Sequence, residues 1–230
     1  MQLAIDTATD TASLVLIQNG EVLAESTWRC EQSHTTQLLP HLVDLMEQNK
    51  LSLQSISGVI VVKGPGSYNG LRVGISTAKG LAFSLGIPII GISSLELAAY
   101  QHADTGLPIR PILNAGRGEI ATALYQKKDS EWSQLTPEHI TTVDQLLPQI
   151  TTKTVFCGEF VSSIATELRN QFKEKAVIPP PPTPAQRASL FAKLGRMRLE
   201  AGSYDDPVTL QPLYLRRPQI TKSKRYGIGA

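Results

Sequence analysis

The part of this 230-residue sequence best suited to chemistry is a glycine-rich turn, KGPGSYNGLRVGISTAKGLAFSLG, which joins a short apolar strand to a helix. Gly66 and Ser67 lie where the helix begins, and free backbone N–H groups together with the positive end of the helix dipole favour an anion there. The turn is not a P-loop, because no Gly-Lys-Ser/Thr closes it, and it lacks the G-x-G-x-x-G dinucleotide spacing. An anion site and a plain tight turn are both consistent with this pattern.

A second polar cluster follows the first predicted strand. Asp6 ends that strand, and the hydroxyl and carboxylate residues of TATDT come directly after it. Such oxygens suit Mg²⁺ or phosphate, but the same residue types also cap ordinary turns. The candidate anion-binding residues are Asp6, Thr7, Gly66 and Ser67.

The sequence carries no pattern that predicts a metal site or a nucleophile. No two of the four histidines are four residues apart, as metal ligands on one helix face are. There is no G-x-S-x-G elbow, and Cys30 and Cys157 lack a flanking signature. We therefore predict neither a catalytic residue nor a metal ligand.

The bulk composition indicates an ordinary globular protein, with 41% hydrophobic and 18% charged residues. No run approaches the roughly 20 apolar residues of a membrane span, and MQLAID does not resemble a secretion signal, so we expect a cytoplasmic protein without a membrane contact. The net charge of +2 is too small for nucleic-acid binding by the whole surface. The basic tail RRPQITKSKRYGIGA is either a phosphate contact or a solvated end.

The order of predicted elements indicates an α/β fold with a mixed sheet, because a strand hairpin is followed by alternating helices and strands. We expect a first lobe over 1–104 and a second over 105–230, with a helix over 184–201 packing back on the first lobe. The strands are predicted over 3–6, 12–18, 21–27, 58–62, 87–92, 108–113, 120–126 and 154–157. The helices are predicted from Ser33 to about Lys50, from Ser67 to about Gly86, over LELAAYQH, over 161–172, and from Thr183 to Gly202.

The helix after Ser67 carries a small residue at every fourth position. The row forms a shallow groove in which another helix can pack closely. Glycine costs about 1 kcal/mol relative to alanine inside a helix, so its repetition indicates a packing reason. The groove is filled either by the preceding helix of the same chain or by a second molecule. The row consists of Gly70, Gly74, Ala78, Ala82 and Gly86.

Several separated segments resemble the TsaB family, also called YeaZ, from the first strand to about Arg217. Its most specific piece, GPGSYNGLRVGISTAKGLA, departs from the family's GPGSFTGLR-type signature at Tyr68 and Asn69. Asn114 stands where the family usually has an acidic residue. The other similar segments are LAIDTATDTASLVL, HTTQLLPHLVDLM, GISSLELAA, NAGRGEIATALY, FCGE and QPLYLRR.

The resemblance implies the two-lobe actin-like fold shared by acetate kinase, sugar kinases and Hsp70. It also implies a non-catalytic partner of TsaD and of the ATPase TsaE, which together form threonylcarbamoyladenosine beside the anticodon of tRNA. The metal-binding histidine positions of TsaD-like relatives correspond to Ser94 and Ala98, and alanine cannot bind a metal. We therefore expect no cofactor in this chain, and we expect ATP and a metal ion in the partner subunits. We also expect the chain to contact tRNA only indirectly, through the complex.

The resemblance further implies that the first two helices contact the partner, and that the same surface forms a homodimer when TsaD is absent. The alternative is an ATP-binding enzyme of the sugar kinase and Hsp70-like superfamily, with Asp6 on magnesium and residues 66–70 near phosphate. A metalloprotease is disfavoured by the missing histidine pair. The predicted partner or dimer contacts are His34, Leu38, Leu42, Met46, Gly70, Gly74, Ala78 and Ala82.

Overall fold

The computed structural model describes residues 1–30 and 33–216, so most of the basic tail lies outside the described residues. The described chain forms two five-stranded sheets flanked by helices. The first sheet contains β1 (Gln2–Asp6), β2 (Thr11–Gln18), β3 (Glu21–Arg29), β4 (Gly58–Gly64) and β5 (Ile89–Ser93). The second sheet contains β6 (Ile109–Gly116), β7 (Glu119–Lys128), β8 (Glu131–Thr141), β9 (Thr154–Cys157) and β10 (Ala176–Val177). The α-helices are α1 (His34–Gln48), α2 (Tyr68–Leu85), α3 (Ser94–Tyr100), α4 (Val143–Leu146), α5 (Val161–Phe172) and α6 (Pro184–Glu200).

The two sheets have the same topology. In the first, the order is β3-β2-β1-β4-β5, with β1, β2 and β3 antiparallel and β1, β4 and β5 parallel. In the second, β8-β7-β6-β9-β10 repeats that order and those directions. This repeated arrangement confirms the predicted α/β, two-lobe actin-like fold.

The inner strands of the first sheet have a core on each face, and neighbouring residues of a strand point to opposite faces. Leu3 and Ile5 of β1 contribute to a core with the inner sides of α1 and α2. Ala4, between them, contributes to a second core with Phe191 and Leu194 of α6. The helix that follows the second sheet therefore packs on the first one.

Helix α3 contributes to the cores of both lobes. Its Leu97 belongs to the core beneath α6, whereas Leu95 and Ala99 pack against β6 and β7 of the second sheet. The opposite face of the second sheet packs on α5, with Ile112 and Phe156 in that core. Helix α3 therefore lies between the two sheets.

Capping side chains explain where several of the helices begin, but not all of them. Ser67 caps α2 by accepting from the N–H of Gly70, and Thr183 forms a capping box with Gln186 at the start of α6. Ser33 stands at the predicted start of α1, but its side chain makes no capping hydrogen bond. No helix in the described ranges is both long and apolar enough to cross a bilayer.

Candidate functional site

The first candidate region lies where β1, α2 and α6 meet, and we call it the β1 junction (Asp6, Thr7, Gly70, Gly74 and Arg187). Asp6 is 2% exposed and accepts a hydrogen bond of 3.0 Å from Nε of Arg187, with a second from its Nη2. Its other oxygen accepts from the N–H of Ala8 at 3.0 Å. A buried carboxylate requires such partners to offset its lost hydration. The Arg187 guanidinium therefore lies beside Asp6, where the ATP-binding alternative places magnesium.

Thr7 explains two of the glycines in the small-residue row. Its hydroxyl is fully buried and donates to the carbonyl of Gly70 at 2.8 Å. A Cβ added at Gly70 would fall within 3.0 Å of the Thr7 carbonyl oxygen, and one at Gly74 within 3.0 Å of the Thr7 hydroxyl. Both glycines therefore allow α2 to approach β1 closely, so packing within the chain accounts for these two positions of the row.

The turn before α2 also uses its polar groups internally. The N–H of Ser67 donates to the Ala8 carbonyl at 2.7 Å, and the N–H of Leu71 donates to the Ser67 carbonyl at 2.9 Å. A Cβ at Gly66 would strike the Ala8 carbonyl. The four predicted anion-binding residues thus lie together, but the hydrogen-bonding groups described for them already have partners in the chain.

The residues predicted to contact a partner point inward. Leu38, Leu42 and Met46 of α1 are at most 3% exposed and share one core with Ala78 and Ala82 of α2. His34 is also buried, and its Nε2 lies 2.9 Å from the Thr9 carbonyl oxygen. The burial of the eight predicted residues does not suit a contact with a partner, because α1 and Thr7 fill the groove from within the chain.

The opposite sides of the same two helices carry apolar side chains in solvent, and we call this surface the outer face (Leu39, Val43, Ser76, Gly80 and Phe83). Phe83 is 80% exposed, and Leu39 and Val43, one turn apart on α1, are 53% and 49% exposed. A Cβ at Gly80 would meet nothing within 4 Å. Contiguous exposed apolar area, such as that of Leu39 and Val43 on neighbouring turns, marks interaction surfaces. The residues predicted as contacts and the exposed apolar residues thus lie on different sides of the same two helices.

A cavity of about 700 Å³ lies in the cleft between the lobes. Ser94 and Ala98, the positions that correspond to the metal ligands of TsaD-like relatives, both line it. Cys157 also lines the cavity, and burial raises the pKa of its thiol, which donates to the Ala98 carbonyl. Among residues 1–30 and 33–216, no three His, Cys, Asp or Glu side chains are grouped to hold a metal ion.

An ion pair that the sequence did not predict joins the elements around the cleft. Glu96 of α3 is 7% exposed, and both its oxygens lie 2.9 Å from Nη2 of Arg198 in α6. The indole N–H of Trp132 in β8 donates to the same carboxylate at 3.3 Å. Because these partners are far apart in the sequence, no local sequence pattern predicts their contact.

Sequence comparison finds similar proteins that are named for tRNA threonylcarbamoyladenosine synthesis. The sequence profile of the TsaD family, described as tRNA N6-adenosine threonylcarbamoyltransferase, matches residues 22–191. The tRNA threonylcarbamoyladenosine biosynthesis protein TsaB of Bacillus subtilis is 34% identical over 218 residues, covering 93% of each chain. The Escherichia coli protein of the same name is 35% identical over 56% of each chain.

Two solved structures from Pseudomonas aeruginosa are similar over nearly the whole chain. One, described as similar to the peptidase YeaZ, has a TM-score of 0.76 at 22% identity and covers 94% of this chain and 99% of its own. The other, YeaZ, has a TM-score of 0.73 at 20% identity, with 92% and 99% covered. At these identities the two structures show a shared fold.

Proposed function

This chain belongs to the TsaB (YeaZ) family of tRNA threonylcarbamoyladenosine biosynthesis proteins, and we propose that it acts as a non-catalytic subunit that binds the catalytic subunit TsaD. In this proposal a TsaE-like ATPase joins the complex. The ATP and the metal ion reside in the partner subunits, and tRNA is reached through the assembly in the cytoplasm.

The observation that carries the proposal is the outer face of α1 and α2. Phe83, Leu39 and Val43 expose apolar area to water, and covering such area contributes about 25 cal/mol per Å². The inner sides of the two helices pack in one shared core, so the outer face lies on rigid elements. Gly80 lets a partner approach the α2 backbone without meeting a side chain. An apolar, preorganised surface of this kind suits a protein partner.

The residues of the cleft support a non-catalytic role. The hydroxyl of Ser94 and the methyl group of Ala98 do not replace a pair of imidazoles as metal ligands. The thiol of Cys157 is buried and engaged with a backbone carbonyl, so it lacks the features of a nucleophile. The described residues of the cleft thus favour a role outside the chemical step.

The alternative of an ATP-binding enzyme is disfavoured by Arg187. Magnesium bound to ATP would need the carboxylate of Asp6, but the Arg187 guanidinium holds that carboxylate from within the chain. The N–H of Gly70 at the start of α2 is likewise engaged, by Ser67. We therefore expect weak ATP binding by the isolated chain.

Size-exclusion chromatography with light scattering tests the proposal. The chain is measured alone, then with its cognate TsaD, with and without tRNA and ATP. We expect a homodimer alone, formed through the outer face, and a stoichiometric mixed complex that replaces it. Threonylcarbamoyl transfer is measured in parallel and is expected only when TsaD is present. The absence of any mixed complex, or transfer by this chain alone, would contradict the proposal.

A further inference from the structure

Three side chains from distant elements meet where the second lobe contacts α3. Glu96 lies on α3, Arg198 lies on α6, which packs on the first sheet, and Trp132 lies on β8 of the second sheet. Both carboxylate oxygens of Glu96 lie 2.9 Å from Nη2 of Arg198, and one of them accepts from the indole N–H of Trp132 at 3.3 Å. One carboxylate therefore binds a cation from one lobe and a ring from the other at the same time.

Aromatic contacts hold Trp132 in this position. Its ring stacks on that of Tyr125 in β7, with centroids 5.4 Å apart, and packs edge-to-face against Tyr100 of α3 at 5.2 Å. Tyr125 is 2% exposed, and its hydroxyl donates to Glu138 at 3.1 Å. Because the indole is already fixed by these rings, little side-chain freedom remains to be lost when its N–H binds Glu96.

The burial of Glu96 makes both of its partners necessary. Glu96 is 7% exposed, and a carboxylate removed from water is unfavourable unless a cation and hydrogen bonds offset its lost hydration. A second ion pair nearby, between Lys127 and Asp104, contributes less, because its aspartate is 88% exposed and water screens the charges. The closed arrangement of α3 and the second lobe therefore depends mainly on Glu96.

Cys157 lies in the interface that this contact closes. It belongs to the core between α3 and the second sheet, together with Leu95, Ala99 and the ring of Trp132. Its thiol donates to the Ala98 carbonyl at 3.4 Å, and burial raises the pKa of the thiol. An enclosed, protonated thiol reacts slowly with thiol reagents, so Cys157 becomes reactive when α3 separates from the second sheet.

We propose that Glu96, Arg198 and Trp132 form an interlobe lock, which holds the second lobe closed against α3 and whose release opens the cleft as a local motion of the folded protein. Each lobe has a further core on the side away from α3, so opening does not require either lobe to unfold. The lock does not involve the outer face, so failure of either proposal leaves the other standing.

The labelling rate of Cys157 tests the interlobe lock. The full chain carries Cys30→Ala, so that Cys157 is its only thiol, and a chromogenic aromatic disulfide reports the rate. We expect Glu96→Gln to speed labelling about tenfold, because the charge that binds Arg198 is removed. Arg198→Met is expected to speed labelling further, because the charged carboxylate then gains by reaching water. Both increases should persist unchanged in low concentrations of urea, since a local opening exposes little surface.

A matched control is available on α6 itself. Glu200 pairs with Arg196 at 2.7 Å, but both side chains are more than half exposed and both lie on the same helix. Glu200→Gln is therefore expected to label at the rate of the parent chain. Labelling of Glu96→Gln at the parent rate, an equal increase in Glu200→Gln, or an increase that follows the urea dependence of global unfolding would each overturn the proposal.

Discussion

The β1 junction and the outer face use opposite sides of α2, and the same residue type has a different role in each. At the junction, Gly74 lies against the hydroxyl of Thr7, and a side chain has no room there. On the outer face, Gly80 borders open space next to Phe83, which is 80% exposed. A glycine pattern alone therefore does not identify a binding surface, because packing within the chain determines which glycines are available to a partner.

The largest effect on stability is expected from removing the Arg187 guanidinium at the β1 junction. Arg187→Met leaves the carboxylate of Asp6 buried without its charged partner, and we expect the free energy of unfolding to fall by about 3 kcal/mol. This is the lower end of the usual range, because the Arg187 side chain is 32% exposed. Urea denaturation measures the change. The double variant Asp6→Asn/Arg187→Met should recover most of the loss, and full stability of the single variant would show that the pair is not needed.

A smaller loss is expected from adding one methyl group at the junction. In Gly74→Ala the new Cβ meets the Thr7 hydroxyl, so β1 and α2 must separate. We expect this overpacking to lower the free energy of unfolding by about 2 kcal/mol, even after the better helix propensity of alanine is included. The midpoint of thermal unfolding should fall accordingly, and an unchanged midpoint would mean that the junction is looser than described.

The same substitution on the outer face is expected to have the opposite sign. Gly80→Ala meets no atom within 4 Å and lies inside α2, so it should raise the free energy of unfolding by about 1 kcal/mol. Denaturant melts of the two alanine variants, compared side by side, provide a matched test. Destabilisation by Gly80→Ala would contradict the distinction between the two sides of the helix.

The smallest effect on stability is expected from the most exposed aromatic residue. Phe83→Asp removes a side chain that is 80% exposed, so the free energy of unfolding should change by no more than about 0.5 kcal/mol. Chemical denaturation checks this value. A larger loss would indicate that Phe83 is needed for folding and would disqualify the variant as a probe of binding.

Much of the fold follows from local sequence patterns. Alternation along β1, the capping residues Ser67 and Thr183, and Gly86 at the end of α2 act over a few residues and are visible in the sequence. Strand β8 was missed because its side chains are mostly exposed or half-buried and Pro137 interrupts it, which leaves a weak alternation.

The candidate sites were less predictable because they depend on contacts between distant parts of the chain. Asp6 and Arg187 are 181 positions apart, and Glu96 and Arg198 are 102 apart. Helical periodicity indicated that α2 has a small-residue side, but not that Thr7 covers it. The eight residues predicted as contacts therefore lie on the buried sides of α1 and α2.

The measurement that tests the central claim most directly is the affinity of the cognate TsaD for three forms of this chain. Wild type is compared with Phe83→Asp on the outer face and with Leu135→Asp, which alters a 51% exposed leucine on β8 of the other lobe. We predict that Phe83→Asp weakens binding by about 30-fold, as expected for a central apolar contact, while Leu135→Asp binds like the wild type. Equal binding by all three forms, or a loss confined to Leu135→Asp, would contradict the assignment of the outer face as the partner surface.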